Sequence, residues 1–327
     1  MAKIYYEKDA HLENIADLAI GVIGYGNQGR AHALNLRDSG LRVRVGARSG
    51  GKAHQTAKDD HFDVTSVEDI ATNCDVIAIL LPDESMAEVY TNSIEPYISS
   101  SKTFVFAHGF AVHHNLIRLP DTSDILLVAP TGPGRPLRSL FVTGAGLPAL
   151  VAVQQDFSGD GWPKALAYAK GVGCTRAGCI ATTFAEETVT DLYCEQAVLC
   201  GGIPELIKHS FDNLVAAGYQ PELAYISCLK EVKLISDLLF SEGIDGMRDA
   251  ISTTARYGSQ VSGPMLINTQ TDRSLQKILH NIESGTFARD FLEESKLGHP
   301  ALKRLQTEEK HSLLVRTGKR LKELLKF

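Results

Sequence analysis

No stretch of this sequence is long and apolar enough to cross a bilayer, which takes about 20 such residues. Neither charge dominates: 33 Lys and Arg stand against 39 Asp and Glu. The net −6 argues against a surface built to grip nucleic acid phosphates. Cysteine is scarce and scattered. Cys74, Cys174, Cys179, Cys194, Cys200 and Cys228 form no C-x-x-C pair and have no histidine cluster beside them, which argues against a zinc site. Reduced thiols in a cytoplasm are the expectation. The first nine residues are mixed and polar, unlike a secretory leader. Repeats and low-complexity tracts are also missing.

What is present is ordinary globular composition, 44% hydrophobic and 22% charged, over 327 residues. That length exceeds one usual core and predicts two domains. Short β-branched runs at 18–23, 43–46, 76–81, 103–107, 125–129 and 149–153 alternate with helical stretches. This is the rhythm of a doubly wound, parallel α/β sheet. Past residue 184 the runs give way to helical periodicity at 186–200, 205–217, 221–242, 273–284 and 287–296. The expected domains are therefore 1–183, of Rossmann type, and 184–327, all helical. The tail, 303–327, is predicted to be one charged amphipathic helix on a solvated flank.

Gly24-Tyr25-Gly26-Asn27-Gln28-Gly29 follows the first apolar run and opens a helix-compatible stretch. In that setting G-x-G-x-x-G reads as a dinucleotide turn: Gly24 for the bend, Gly26 for backbone approach to the pyrophosphate, Gly29 for helix–strand packing. NAD sites usually end the second strand with an acidic residue for the ribose 2′-hydroxyl. Here that strand ends Val45-Gly46-Ala47-Arg48, followed by Ser49 and Lys52, so a 2′-phosphate and NADPH are expected. The carboxyl ends of later strands carry Leu81-Pro82-Asp83-Glu84, Ala107-His108-Gly109-Phe110 and Ala129-Pro130-Thr131-Gly132-Pro133-Gly134. Ligands bind at such ends. Leu81, Pro82, Asp83 and Gly134 are candidate dinucleotide contacts, and His108 a candidate proton relay or substrate holder. Asp191 and Glu195 are spaced to share one helix face, and Glu231 sits in a later helical stretch among apolar neighbours. Carboxylates so placed suit Mg²⁺, although a solvated acidic helix start explains the first two equally well. Ser252, before Thr253-Thr254-Ala255, is a possible donor to substrate and otherwise a turn serine.

From Lys3-Ile4-Tyr5-Tyr6 to about Pro300 the chain resembles the ketol-acid reductoisomerases, in their short bacterial form. The resemblance rests on the dinucleotide turn and its continuation to Asp38, on 80–84 and 107–110, on Glu186-Glu187-Thr188-Val189-Thr190-Asp191 continuing to Gly202, and on Gly258-Ser259-Gln260-Val261-Ser262-Gly263-Pro264. It implies conversion of 2-acetohydroxy acids to 2,3-dihydroxy acids in branched-chain amino acid synthesis, by a metal-dependent alkyl shift and then NADPH reduction. It implies Asp191 as a bridging Mg²⁺ ligand and Glu195 as a ligand of one ion. Glu231 becomes a second-metal ligand or a partner through water, His108 the active-site histidine and Ser252 the substrate serine. It also implies a knotted helical domain and a homodimer or higher homo-oligomer whose helical domains complete each other's sites, with no membrane or nucleic acid partner.

Several positions depart from the family pattern. Thr131 stands where the family has lysine, and Ser227 where it has a glutamate one turn before Glu231. Gly51, Ala53, Arg256 and Met265 are smaller departures. Three readings follow: the family's full reaction with an altered site, reduction of a small 2-oxo acid without the rearrangement, or cofactor binding without turnover.

Overall fold

The computed structural model describes residues 2–325 and divides into two compact units, one ending at Thr190 and the other beginning at Asp191. The division falls inside a helix, Phe184–Cys194. Among the described residues no helix is long and apolar enough to cross a membrane.

The first unit is a nine-stranded sheet: β1 (Ile4–Tyr5), β2 (Ile20–Ile23), β3 (Val43–Gly46), β4 (Asp63–Thr65), β5 (Val76–Ile79), β6 (Thr103–Phe106), β7 (Asp124–Pro130), β8 (Ala149–Gln155) and β9 (Cys179–Ala181). Their order is β1-β9-β8-β7-β6-β5-β2-β3-β4. β2, β5 and β6 are buried at every residue, as strands covered on both faces must be. Alternate side chains feed opposite faces: Val76 and Ala78 join one core, Ile77 and Ile79 the other. The chain winds one way through β3 and β4 and the other way through β5, β6 and β7. The switch point, where such sheets take ligands, lies between β2 and β5.

The sheet is not wholly parallel as expected. β8 runs antiparallel to β7, and β1 antiparallel to β9. The segment after β7 returns directly into the neighbouring β8, and where it leaves and re-enters the sheet Thr131 N–H donates to Pro148 O at 2.9 Å. Alternating strands and helices carry no record of direction. β1, β4 and β9 are two or three residues long and too short for the pattern to reveal.

The second unit is helical: Gly202–Ala216, Pro221–Tyr225, Val232–Ala250, Thr253–Leu266, Thr269–Glu283, Thr286–Lys296, Pro300–Lys310 and Leu313–Leu324. Two expected helices are interrupted by wide π-turns, Glu195–Leu199 and Ile226–Lys230. Val232–Ala250 breaks at Gly243, whose φ is 74°. The expectation missed Thr253–Leu266, whose Gly258, Gly263 and Pro264 lower its helix propensity. The tail is two helices, and its second is no solvated flank. Ser312 caps it by accepting from Val315 N–H. Thr317 and Leu321 are buried, Gly318 lies against the Tyr225 ring, and Arg320 pairs with Glu222. The last two residues of the predicted tail helix lie outside the described residues.

Candidate active site

The turn after β2 is built by its glycines. Gly24 has φ +94°, and a Cβ there would lie 2.4 Å from Leu80 O, with Leu81 beside it. A Cβ on Gly29 would come within 2.0 Å of Gly24 O, so only glycine lets the Asn27–Asp38 helix start this close to the strand. Gly26 is the opposite case: a Cβ there would meet no atom within 4 Å. Its backbone therefore presents an open face at a helix N-terminus, the cradle a pyrophosphate requires. Tyr25 turns inward. Its ring is buried against Phe62, and its hydroxyl donates to Asp60 Oδ2 at 2.9 Å. Burial first, and Asp60 next, push the phenol far above its ordinary pKa. Arg30 reaches the same carboxylate with Nε and Nη2, at 2.7 and 2.9 Å. The Arg30 hydrogen bonds chiefly hold the Asp60 carboxyl below the usual range. Asp60 thus fixes the turn from below, a role the sequence reading did not assign.

Arg48 and Ser49 are exposed on the loop after β3, and Lys52 is exposed at the start of the helix Lys52–Asp59 that follows it. Pro82 caps the helix Asp83–Val89 beyond β5. Gln28 Nε2 donates to Gly132 O at 2.8 Å, so the dinucleotide turn and the loop beyond β7 are brought together. Gly134 is buried, and a Cβ there would lie 1.9 Å from Asn27 O; close packing on the turn demands glycine there. Thr131 Oγ1 donates to Pro148 O at 3.0 Å.

At the end of β6, His108 is hydrogen-bonded through Nδ1 to Glu187 Oε1 at 3.0 Å. Gly109 N–H donates to Glu187 Oε2 at 2.7 Å. Glu187 is 3% exposed and His108 23%. Two polar contacts on one buried carboxylate fix the orientation of the His108 ring and of the backbone beside it. The helix Phe184–Cys194 approaches this closely because residue 109 is glycine: a Cβ would lie 2.5 Å from Thr188 Oγ1 and 2.8 Å from Phe184 O. Phe110 stacks on the His108 ring with centroids 6.1 Å apart. His114 stands behind; burial first, and His113 and His108 next, hold it below the ordinary imidazole range. Glu187 was missed as a site residue, although its i, i+4 spacing to Asp191 was visible in the sequence.

Asp191 lies one helical turn beyond Glu187 and is half-buried; Glu195, another turn on, is exposed. Glu195 opens one π-turn, and Glu231 directly follows the other. π-turns gather at functional sites because they re-aim the side chains around them. The oxygen-only donors on this helix fit a hard cation such as Mg²⁺. Ser227 lies within the second π-turn and supplies no anionic oxygen. Ser252 is the N-cap of Thr253–Leu266; its Oγ accepts from Ala255 N–H at 3.2 Å, leaving its hydroxyl proton for another acceptor. Arg256 donates to Arg248 O and pairs with Asp249.

Two family models cover almost all of this chain. The NADPH-binding domain of acetohydroxy acid isomeroreductase matches residues 14–178, and the C-terminal domain of ketol-acid reductoisomerase matches 184–327. The solved structure of an NADH-preferring ketol-acid reductoisomerase from an uncultured archean is similar over 99% of this chain and 100% of its own, at 38% identity and TM-score 0.96. A semialdehyde dehydrogenase NAD-binding protein from Cupriavidus necator (17% identity, 82% of this chain and 99% of its own, TM-score 0.64) shares the fold alone. So does a pyrroline-5-carboxylate reductase from Coxiella burnetii (15% identity, 82% and 98%, TM-score 0.55).

Proposed function

The chain belongs to the ketol-acid reductoisomerase family, and from that premise we propose an NADPH- and Mg²⁺-dependent oxidoreductase acting on 2-acetohydroxy acids or the small 2-oxo acids derived from them. The observation that carries this reading is the buried Glu187 carboxylate, which holds the His108 ring at the end of β6. NADPH, when bound, supplies the hydride, and Mg²⁺, when bound, polarises the substrate oxygens. Gly26 offers its open backbone to the pyrophosphate, with the first amides of the Asn27–Asp38 helix facing it. The exposed Arg48 guanidinium, with Ser49 and Lys52, takes the 2′-phosphate. His108, its ring held by Glu187, moves a proton at the substrate oxygen. Asp191 and Glu195 hold the metal, with Glu231 a further ligand or a partner through water. Ser252 donates its hydroxyl proton to the substrate.

A second reading, within the same family, is that reduction outruns rearrangement. The alkyl shift needs one oxygen deprotonated while its neighbour is polarised, and each positive group on that charge helps. Thr131 brings no positive charge, and its hydroxyl donates to Pro148 O; Ser227 brings no anion for a second metal. Losing one such contact costs about 10²–10³ in rate.

The test pairs two variants. Asp191→Asn should abolish turnover while equilibrium NADPH binding stays nearly intact. Arg48→Asp should leave a folded protein whose preference moves toward NADH. Full activity in excess chelator, or equal efficiency with both cofactors in the unmodified protein, would refute the corresponding half.

A further inference from the structure

Two loops of the first unit, distant in sequence, are joined at the dinucleotide turn. Gln28 Nε2 donates to Gly132 O at 2.8 Å. One residue earlier, the Asn27 carbonyl lies so close to Gly134 that a Cβ there would sit 1.9 Å from it. The helices behind these loops are tied as well: Arg138 donates to Asn35 Oδ1 at 2.9 Å and to Asp38 Oδ2 at 2.5 Å. On its far side the loop is held by Thr131, whose N–H and Oγ1 donate to Pro148 O at 2.9 and 3.0 Å.

Gln28 reads from sequence as a dinucleotide contact; its backbone amide belongs to the helix start, while its side chain is turned to the Gly132 loop. Its Nε2 faces the Gly132 carbonyl, and its Oε1 is shut off from solvent with no hydrogen-bond partner among the described residues. A buried acceptor left unpaired costs about 1–3 kcal/mol. Such a cost persists where the surrounding structure over-determines the side chain. The side-chain amide is thus committed to the Gly132 loop through Nε2.

We propose that Gln28 is a positioning residue that makes the Thr131–Gly134 loop part of the dinucleotide-binding element, so that ordering the turn also orders the backbone carrying residue 131. This rests on the dinucleotide reading above. The glycine-rich turn is soft by itself. A dinucleotide that orders it restrains Gly132 through Gln28 and Gly134 through the Asn27 carbonyl. The loop at the end of β7 then becomes rigid when cofactor is present, before substrate arrives.

The test uses the whole protein with NADPH as probe. Gln28→Glu keeps the shape but sets an oxygen against the Gly132 carbonyl; Gln28→Met, neutral and of similar length, guards against an effect of charge alone. Equilibrium NADPH binding is followed by cofactor fluorescence, and amide hydrogen exchange is followed at Thr131, Gly132, Gly134 and Arg135. In the unmodified protein NADPH should slow exchange at these amides. Both variants should bind NADPH within about threefold of the unmodified protein, the scale of one lost neutral hydrogen bond. Both should lose the NADPH-dependent protection of the loop, with a fall in kcat and little change in KM for NADPH. Tenfold weaker NADPH binding with protection intact at saturation would make Gln28 a direct ligand contact and overturn the inference. Protection unchanged in both variants would overturn it as well. Failure of the unmodified protein to bind NADPH would sink the dinucleotide reading itself, a result distinguishable from either.

Discussion

His32 is fully buried in the Asn27–Asp38 helix, hydrogen-bonded to the Tyr168 hydroxyl at 3.1 Å, and its Nε2 has no hydrogen-bond partner among the described residues. Burial alone pushes its pKa down to about 4. An unfolded chain holds histidine near 6.5, so between these values the unfolded state binds the extra proton. The neutral ring's stability is thus fully present above about pH 6.5 and is lost as pH falls through about 4, a span of roughly 3 kcal/mol. His32→Gln should flatten this part of the stability profile. The check is the difference in urea midpoints between variant and unmodified protein from pH 4 to 7, and a constant difference would contradict it. Single residues also mark where the sequence stopped being legible. Gly24, Gly26 and Gly29 were readable because one backbone geometry demands them. Tyr25 and Glu187 were not, because burial turns one away from the turn and brings the other to His108, and both depend on chain far away in sequence.

At the scale of elements, hydrophobic period found the long helices and the buried strands but not the places where the period slips. A π-turn adds one residue to a helical turn and leaves the apolar pattern almost unchanged, so 186–200 reads as one uninterrupted helix. Its signal is the pair Gly201 and Gly202. A Cβ on Gly201 would lie 2.0 Å from Gln196 O, and one on Gly202 2.2 Å from Ala197 O, each five residues back. Gly201→Ala should therefore destabilise the protein by about 1–3 kcal/mol. It should also weaken Mg²⁺ binding, since Glu195 opens that turn. Thermal unfolding and titration calorimetry with Mg²⁺ check the two effects, and an alanine variant with unchanged midpoint and affinity would remove the π-turn from the account.

At the scale of the whole molecule, the second unit exposes more apolar surface than a monomer keeps. The helices Val232–Ala250 and Thr253–Leu266 bury no residue. Phe240 is 95% exposed, and Leu234, Ile244, Tyr257 and Met265 are exposed as well. Patches of this kind mark interfaces, and a stable one buries about 2,000 Å² or more when obligate. Sedimentation should find a dimer or larger homo-oligomer at micromolar concentration, and an active monomer would contradict this. The two-part architecture was legible because short β-branched runs alternating with helical stretches give way near residue 184 to helical periodicity alone. Strand direction, the break in the tail and the burial of its last helix were not, because they depend on which distant segments meet. The central claim, a nicotinamide-dependent reductase of this family acting on the 2-acetohydroxy acid series, is tested most directly by NADPH oxidation with Mg²⁺. The unmodified protein would be given 2-acetolactate and, separately, its rearranged product 3-hydroxy-3-methyl-2-oxobutanoate. The account predicts NADPH oxidation with both, the rearranged acid being turned over faster by about 10² or more. No NADPH oxidation with either substrate would contradict it.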